Sequence, residues 1–171
     1  MNTVEQSFAL IAKFEGCRLK AYQDIVGVWT IGFGETLGRP RAILVASAHW
    51  TTAAPAVCAV AQPETIHDFG GFPQALFEIQ YPAPGSPALA NRVKELLNVP
   101  VVLEENEWGI DHGAWSVLKY IYPRADVPIV QLSLDGSMSA RAHYELAKQL
   151  RPLRNENILI LSKYVKSVQG C

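Results

Sequence analysis

Ala42-Ile43-Leu44-Val45-Ala46, followed at once by Ser47-Ala48-His49-Trp50, decides the fold. A continuous apolar run marks a strand buried on both faces, as in a sheet covered by helices on each side. Similar runs recur at 99–103, 127–134 and 158–161. Between them, apolar residues fall at helical intervals over 87–97, 114–120 and 139–150. Strands alternating with helices predict an α/β fold with a mostly parallel sheet and flanking helices. The stretch 55–87, rich in Pro and Gly, is predicted as a long loop. Loops of that length in compact domains usually carry function or are disordered.

The pattern differs upstream of Gly38-Arg39-Pro40. Thr3 and Gln6 stand at the spacing of a capping box, and Phe8, Ile11, Ala12 and Phe14 follow at helical intervals up to Gly16. Val26, Val28, Trp29 and Ile31 are good strand formers, punctuated by Gly27, Gly32 and Gly34. A small helix plus a β-hairpin is therefore expected over 1–38, the α/β core over 39–162, and an unassigned tail over 163–171.

Composition narrows the partners. With 171 residues, 49% of them hydrophobic and 18% charged, the chain can bury a core. A net charge of −1 offers no field for a phosphate backbone or an anionic membrane, so nucleic acid and membrane are not expected partners. Cys17, Cys58 and Cys171 lie too far apart for a zinc motif and are odd in number, which predicts reduced thiols in a cytoplasm. The N-terminus lacks the basic start and apolar run of a signal peptide.

Two sets of residues carry chemistry. Glu15 ends the first predicted helix, with Asp24 and Thr30 in the adjoining hairpin. Glycosidic hydrolysis needs one protonated carboxyl for the leaving oxygen and a second, ionised one for water or oxocarbenium charge. All four histidines, His49, His67, His112 and His143, lie in the α/β part. His49 follows the buried strand at its carboxyl end, where open α/β sheets gather ligands, and an imidazole there suits Fe(II) or Zn(II). His67 sits in Pro63-Glu64-Thr65-Ile66-His67-Asp68-Phe69-Gly70-Gly71-Phe72-Pro73, and His112 in Trp108-Gly109-Ile110-Asp111-His112-Gly113-Ala114-Trp115. The neighbouring acids can fix a histidine tautomer, and the aromatics, with Trp50, can face a flat ring. His143 falls within a helical pattern and reads as structural.

These stretches, with Tyr81-Pro82-Ala83-Pro84-Gly85-Ser86-Pro87 and Pro128-Ile129-Val130-Gln131-Leu132-Ser133, resemble class III extradiol ring-cleavage dioxygenases, in the branch of 4,5-DOPA dioxygenase-like enzymes. The resemblance runs from about Arg39 to Leu161. It implies a nonheme Fe(II) or Zn(II) centre that opens the ring of a small aromatic diol, with His49 as metal ligand, His112 as catalytic residue beside the substrate and His67 in a substrate-binding loop. The family's first ligand stands in a His-Gly-Ser-Pro turn, whereas no histidine precedes His49 here. The resemblance also places a further active-site histidine beyond the strand that ends near Leu161, and no counterpart follows it here.

Ala12-Lys13-Phe14-Glu15-Gly16, Ala21-Tyr22-Gln23-Asp24 and Trp29-Thr30-Ile31-Gly32-Phe33-Gly34 resemble the opening of lambdoid-type phage lysozymes. That resemblance implies Glu15 as general acid, Asp24 and Thr30 as positioners of the attacking water, and peptidoglycan as substrate. Glu35 stands where that family carries histidine, and its second, helical lobe has no counterpart. The joint expectation is a chimera: a dioxygenase core without efficient turnover, with a muramidase or a non-catalytic protein as alternatives. Incomplete sheet edges also predict self-association.

Overall fold

The computed structural model describes residues 39–162, together with the backbone pairing of two short strands upstream. Strand β1 (Tyr22–Gln23) pairs antiparallel with β2 (Trp29–Thr30), Tyr22 opposite Thr30, as the glycine-punctuated pattern predicts. The predicted N-terminal helix, Glu15, Asp24 and the tail 163–171 lie outside the described residues.

The second sheet has the order β5-β4-β6-β3-β7, from β3 (Ala42–Thr52), β4 (Ala56–Cys58), β5 (Val102–Glu104), β6 (Ile129–Asp135) and β7 (Ile158–Ser162). Central β3 runs parallel to both β6 and β7, and β4 runs parallel to β5. Only the contact of β4 with β6, Val57 opposite Leu132, is antiparallel among the pairings of this sheet. The helices are α1 (Gln74–Phe77), α2 (Pro87–Leu96), α3 (His112–Ile121) and α4 (Ala140–Gln149), the last followed by a 3-10 segment, Arg151–Glu156. The fold is therefore α/β with a mostly parallel sheet and flanking helices, as the apolar runs predict.

The period of two along β3 and β6 divides the core. Ile43, Val45 and Ile129 pack with Tyr81, Ile110, Trp115 and Leu118 on the α3 side. Leu44, Val130 and Leu132 pack on the other side with Leu89, Ala90 and Val93 of α2 and Leu146 of α4. Each fully buried Leu, Ile or Val contributes roughly 1.5–3 kcal/mol relative to exposure. Three helices start on side-chain caps: Ser86 accepts from the Leu89 N–H, Asp111 from Ala114, and Ser139 from Ala142. Among the described residues no helix is long and apolar enough to cross a membrane.

Three boundaries differ from the sequence expectation. β3 continues past Ala46 to Thr52, because its ladder with β6 shifts register between Ala46 and Thr51 and then resumes. His49 thus lies inside the strand, in its irregular part, rather than after it. The stretch 55–87 is not a single loop: β4 and α1 lie in it. Three residues, all buried, carry no detectable period, so β4 is invisible to pattern. The strand expected from 99 begins at Val102, downstream of Pro100, which has no N–H for a ladder.

Candidate metal centre

The carboxyl end of β3 meets two loops. The register shift in β3 carries His49, and irregularities of this kind re-aim side chains next to sites. The segment before α1 supplies Asp68, and the first residue of α3 is His112. One ligand atom from each of His49, Asp68 and His112 lies within 4.8 Å of the other two. Their side chains are largely sequestered, 13–19% exposed.

The loop carrying Asp68 is tied down on both sides. Ile110 donates its N–H to Glu64 O at 2.7 Å, and Ile66 donates to Ile110 O at 2.8 Å, forming a parallel bridge between Thr65 and Ile110. Trp115 Nε1 donates to Ile66 O at 2.8 Å, and the Tyr81 N–H donates to Thr65 Oγ1 at 2.9 Å. Asp68 is thereby delivered to the N-terminus of α3. Its Oδ1 accepts the His112 N–H at 2.9 Å and lies 2.8 Å from His112 Nδ1. Its Oδ2 is 3.7 Å from His49 Nδ1. Burial pushes the Asp68 carboxyl up, but hydrogen bonds from the His112 ring and main chain hold it below the ordinary range. A carboxylate that accepts from Nδ1–H places the imidazole lone pair on Nε2.

The two imidazoles are 4.2 Å apart, inclined at 57°. Two imidazoles and one carboxylate are the donor types that nonheme Fe(II) takes, and Zn(II) accepts the same set. The residues present therefore fit such an ion in chemistry and spacing. An aromatic ring borders the group, Phe69 standing edge-on to His112 at 5.3 Å, while Trp50 stacks on Trp108 at 5.1 Å in a separate buried cluster with Ala56 and Cys58.

His67 is placed apart from this group. Its Nε2 is 2.9 Å from Ile79 O, and its ring packs with Phe69, Phe77 and Trp115. Trp115 is fully buried, so it supports the loop rather than lining an open face. His143 accepts the Asp135 N–H through Nε2 at 3.2 Å, a structural contact. Asp68 is the residue to which sequence reasoning assigned no specific role, although it follows His67 in the quoted loop and belonged to the acids expected near a histidine.

A family profile described as the catalytic LigB subunit of aromatic ring-opening dioxygenase matches residues 32–163. The chain belongs to this family. It is 55% identical over 130 residues to the 4,5-DOPA dioxygenase extradiol of Escherichia coli (strain K12), covering 75% of this chain and 48% of that protein. The 4,5-DOPA dioxygenase extradiol of Beta vulgaris is 46% identical over 126 residues, 72% of this chain and 47% of that protein. The crystal structure of an uncharacterized protein from Escherichia coli K12 matches with a TM-score of 0.62 and 46% sequence identity, covering 75% of this chain and 48% of that one. This LigB-family chain spans about half the length of the curated relatives it matches. A further stretch of 36 residues, 21% of the chain, is 50% identical to an endolysin of Acyrthosiphon pisum secondary endosymbiont phage 1 and covers 25% of that protein.

Proposed function

We propose that the chain carries part of an extradiol dioxygenase centre that binds a divalent metal and a small aromatic diol. The convergence of His49, Asp68 and His112 carries this reading. His49 supplies a metal ligand. The Asp68 carboxylate reaches both rings and can supply a second ligand. His112, held through Nδ1 by that carboxylate, offers Nε2 to a proton of the diol. Bound Fe(II) would supply the means to hold the diolate and activate oxygen, while Zn(II) would report the same ligands without redox chemistry. Phe69, edge-on to His112, suits a flat aromatic substrate.

No histidine precedes His49, so the ligand that the family resemblance puts in a His-Gly-Ser-Pro turn has no counterpart. Metal binding without efficient turnover is therefore the expected behaviour of the 171-residue chain. A thermal melt by circular dichroism tests this. The transition should rise on adding Fe(II) or Zn(II), because a ligand that binds only the folded state stabilises it. That rise should disappear in His49→Ala. A melt indifferent to metal would refute the metal centre, and oxygen uptake with DOPA at a rate typical of enzymes, ~10 per second, would refute the incomplete site.

The endolysin-like stretch supports a second reading, in which residues 1–38 form a unit joined to the dioxygenase core at 39–162. In it, Glu15, Asp24 and Thr30 cleave peptidoglycan. Clearing of a cell-wall suspension that Glu15→Gln abolishes would support it, and clearing untouched by that change would exclude it. Self-association through the edge strands β5 and β7 belongs to the chimera reading and is measured by light scattering.

A further inference from the structure

A buried polar chain lies beneath His49 and contributes no atom to the donor set. Asp111, fully buried, caps α3 by accepting the Ala114 N–H through Oδ1. A cap of this kind needs one oxygen only. The other oxygen of Asp111 accepts the hydroxyl of Ser47, which is itself buried. The same Ser47 oxygen accepts the His49 N–H at 3.1 Å. This contact falls where the ladder between β3 and β6 is interrupted, so a side chain does there what the ladder does elsewhere. Gln131 anchors the far end: its Oε1 accepts from Trp108 Nε1 at 2.8 Å, with the Asp111 N–H at 3.4 Å.

The His49 ring, in turn, lies over the first turn of α3. A Cβ on Gly113 would stand 2.5 Å from His49 Cδ2 and 3.0 Å from its Nε2.

We infer that Asp111, Ser47 and Gly113 are positioning residues for His49: the first two fix its main chain, and the third leaves room for its ring. The inference rests on His49 being a metal ligand. Both hydrogen bonds of Ser47 converge on one oxygen, so removing that oxygen loosens the main chain of His49 without touching a ligand. Alanine at 113 would press hardest on the His49 ring and would come within 3.1 Å of Asp111 Oδ1. The closest contact is with the ring, so the ring is the group that must shift first.

The test is a Co(II) titration of the 171-residue chain, followed by the visible cobalt bands, beside a metal-free melt. Ser47→Ala and Gly113→Ala should each weaken cobalt binding about 10-fold, the usual scale for losing support behind a ligand. Both should alter the cobalt spectrum while the metal-free melt stays cooperative, with Ser47→Ala, which strips a buried Asp111 oxygen of its donor, melting several degrees below the parent. Asp111→Asn retains a capping side chain and should follow Ser47→Ala; where it does not fold, the other two variants decide. Cobalt binding that survives His49→Ala would overturn the metal reading and this inference with it. Loss in His49→Ala, with parent affinity in either Ser47→Ala or Gly113→Ala, would overturn this inference alone.

Discussion

Gly109→Ala is expected to destabilise the chain by about 3 kcal/mol or more, at the upper end of what overpacking costs. On a domain of this size that lowers the melting temperature by roughly 10 °C. The reason is a contact between two main chains. A Cβ at position 109 would lie 2.1 Å from Glu64 O and 2.9 Å from Glu64 N, which no rotamer change relieves. Glu64 O is the acceptor of the Ile110 N–H, so separating the segments breaks the bridge between Thr65 and Ile110. The effect should reach the site, because that bridge delivers Asp68 to His112. Zinc-induced stabilisation should therefore fall together with the melt. Gly70→Ala is the control: a Cβ there meets nothing within 4 Å, and both readings should stay near the parent. A Gly109→Ala chain that melts like the parent would mean that the two loops are not docked as described.

The sequence was informative where its periods were long. Five consecutive apolar residues from Ala42 can only be a buried strand or a helix fragment, and the flanking helical patterns settled the choice. Alternation of Ile43 and Val45 against Leu44 then assigns the two faces, and the structure has both. The site was legible in part. His49 and His112 stood out as histidines beside strand ends and glycines, and the structure brings their rings together. Asp68 did not stand out, because its role depends on a loop docking across many residues through main-chain bonds, which carry no residue signature. Ser47 and Asp111 were hidden for a related reason. A serine in an apolar run and an aspartate before a helix each have an ordinary local explanation, and only their hydrogen bond reveals a joint one. The register shift in β3 was equally silent, since an irregular strand keeps strand-forming residues. His67, the histidine of that loop, packs against Phe69, Phe77 and Trp115.

Trp115→Ala should cost about 3–5 kcal/mol, the range for removing a buried aromatic side chain. Trp115 is fully buried, and it packs in the layer between α3 and the sheet with Ile43, Val45, Tyr81 and Ile110. It also ties the Asp68 loop down, since its Nε1 donates to Ile66 O, two residues before Asp68. The two roles separate in Trp115→Phe. Phenylalanine keeps most of the ring and loses the N–H, leaving the Ile66 carbonyl short of a donor, at a cost of about 1–3 kcal/mol. Urea unfolding gives both losses as shifts of midpoint at constant slope. If Trp115 acts through packing alone, Trp115→Phe restores both the midpoint and the zinc-induced rise in melting temperature. If its N–H also holds the loop, Trp115→Phe recovers most of the midpoint while the zinc response stays weak, because Asp68 is then less firmly held against His112. The geometry of a 2.8 Å bond to the loop that bears Asp68 argues for the second outcome.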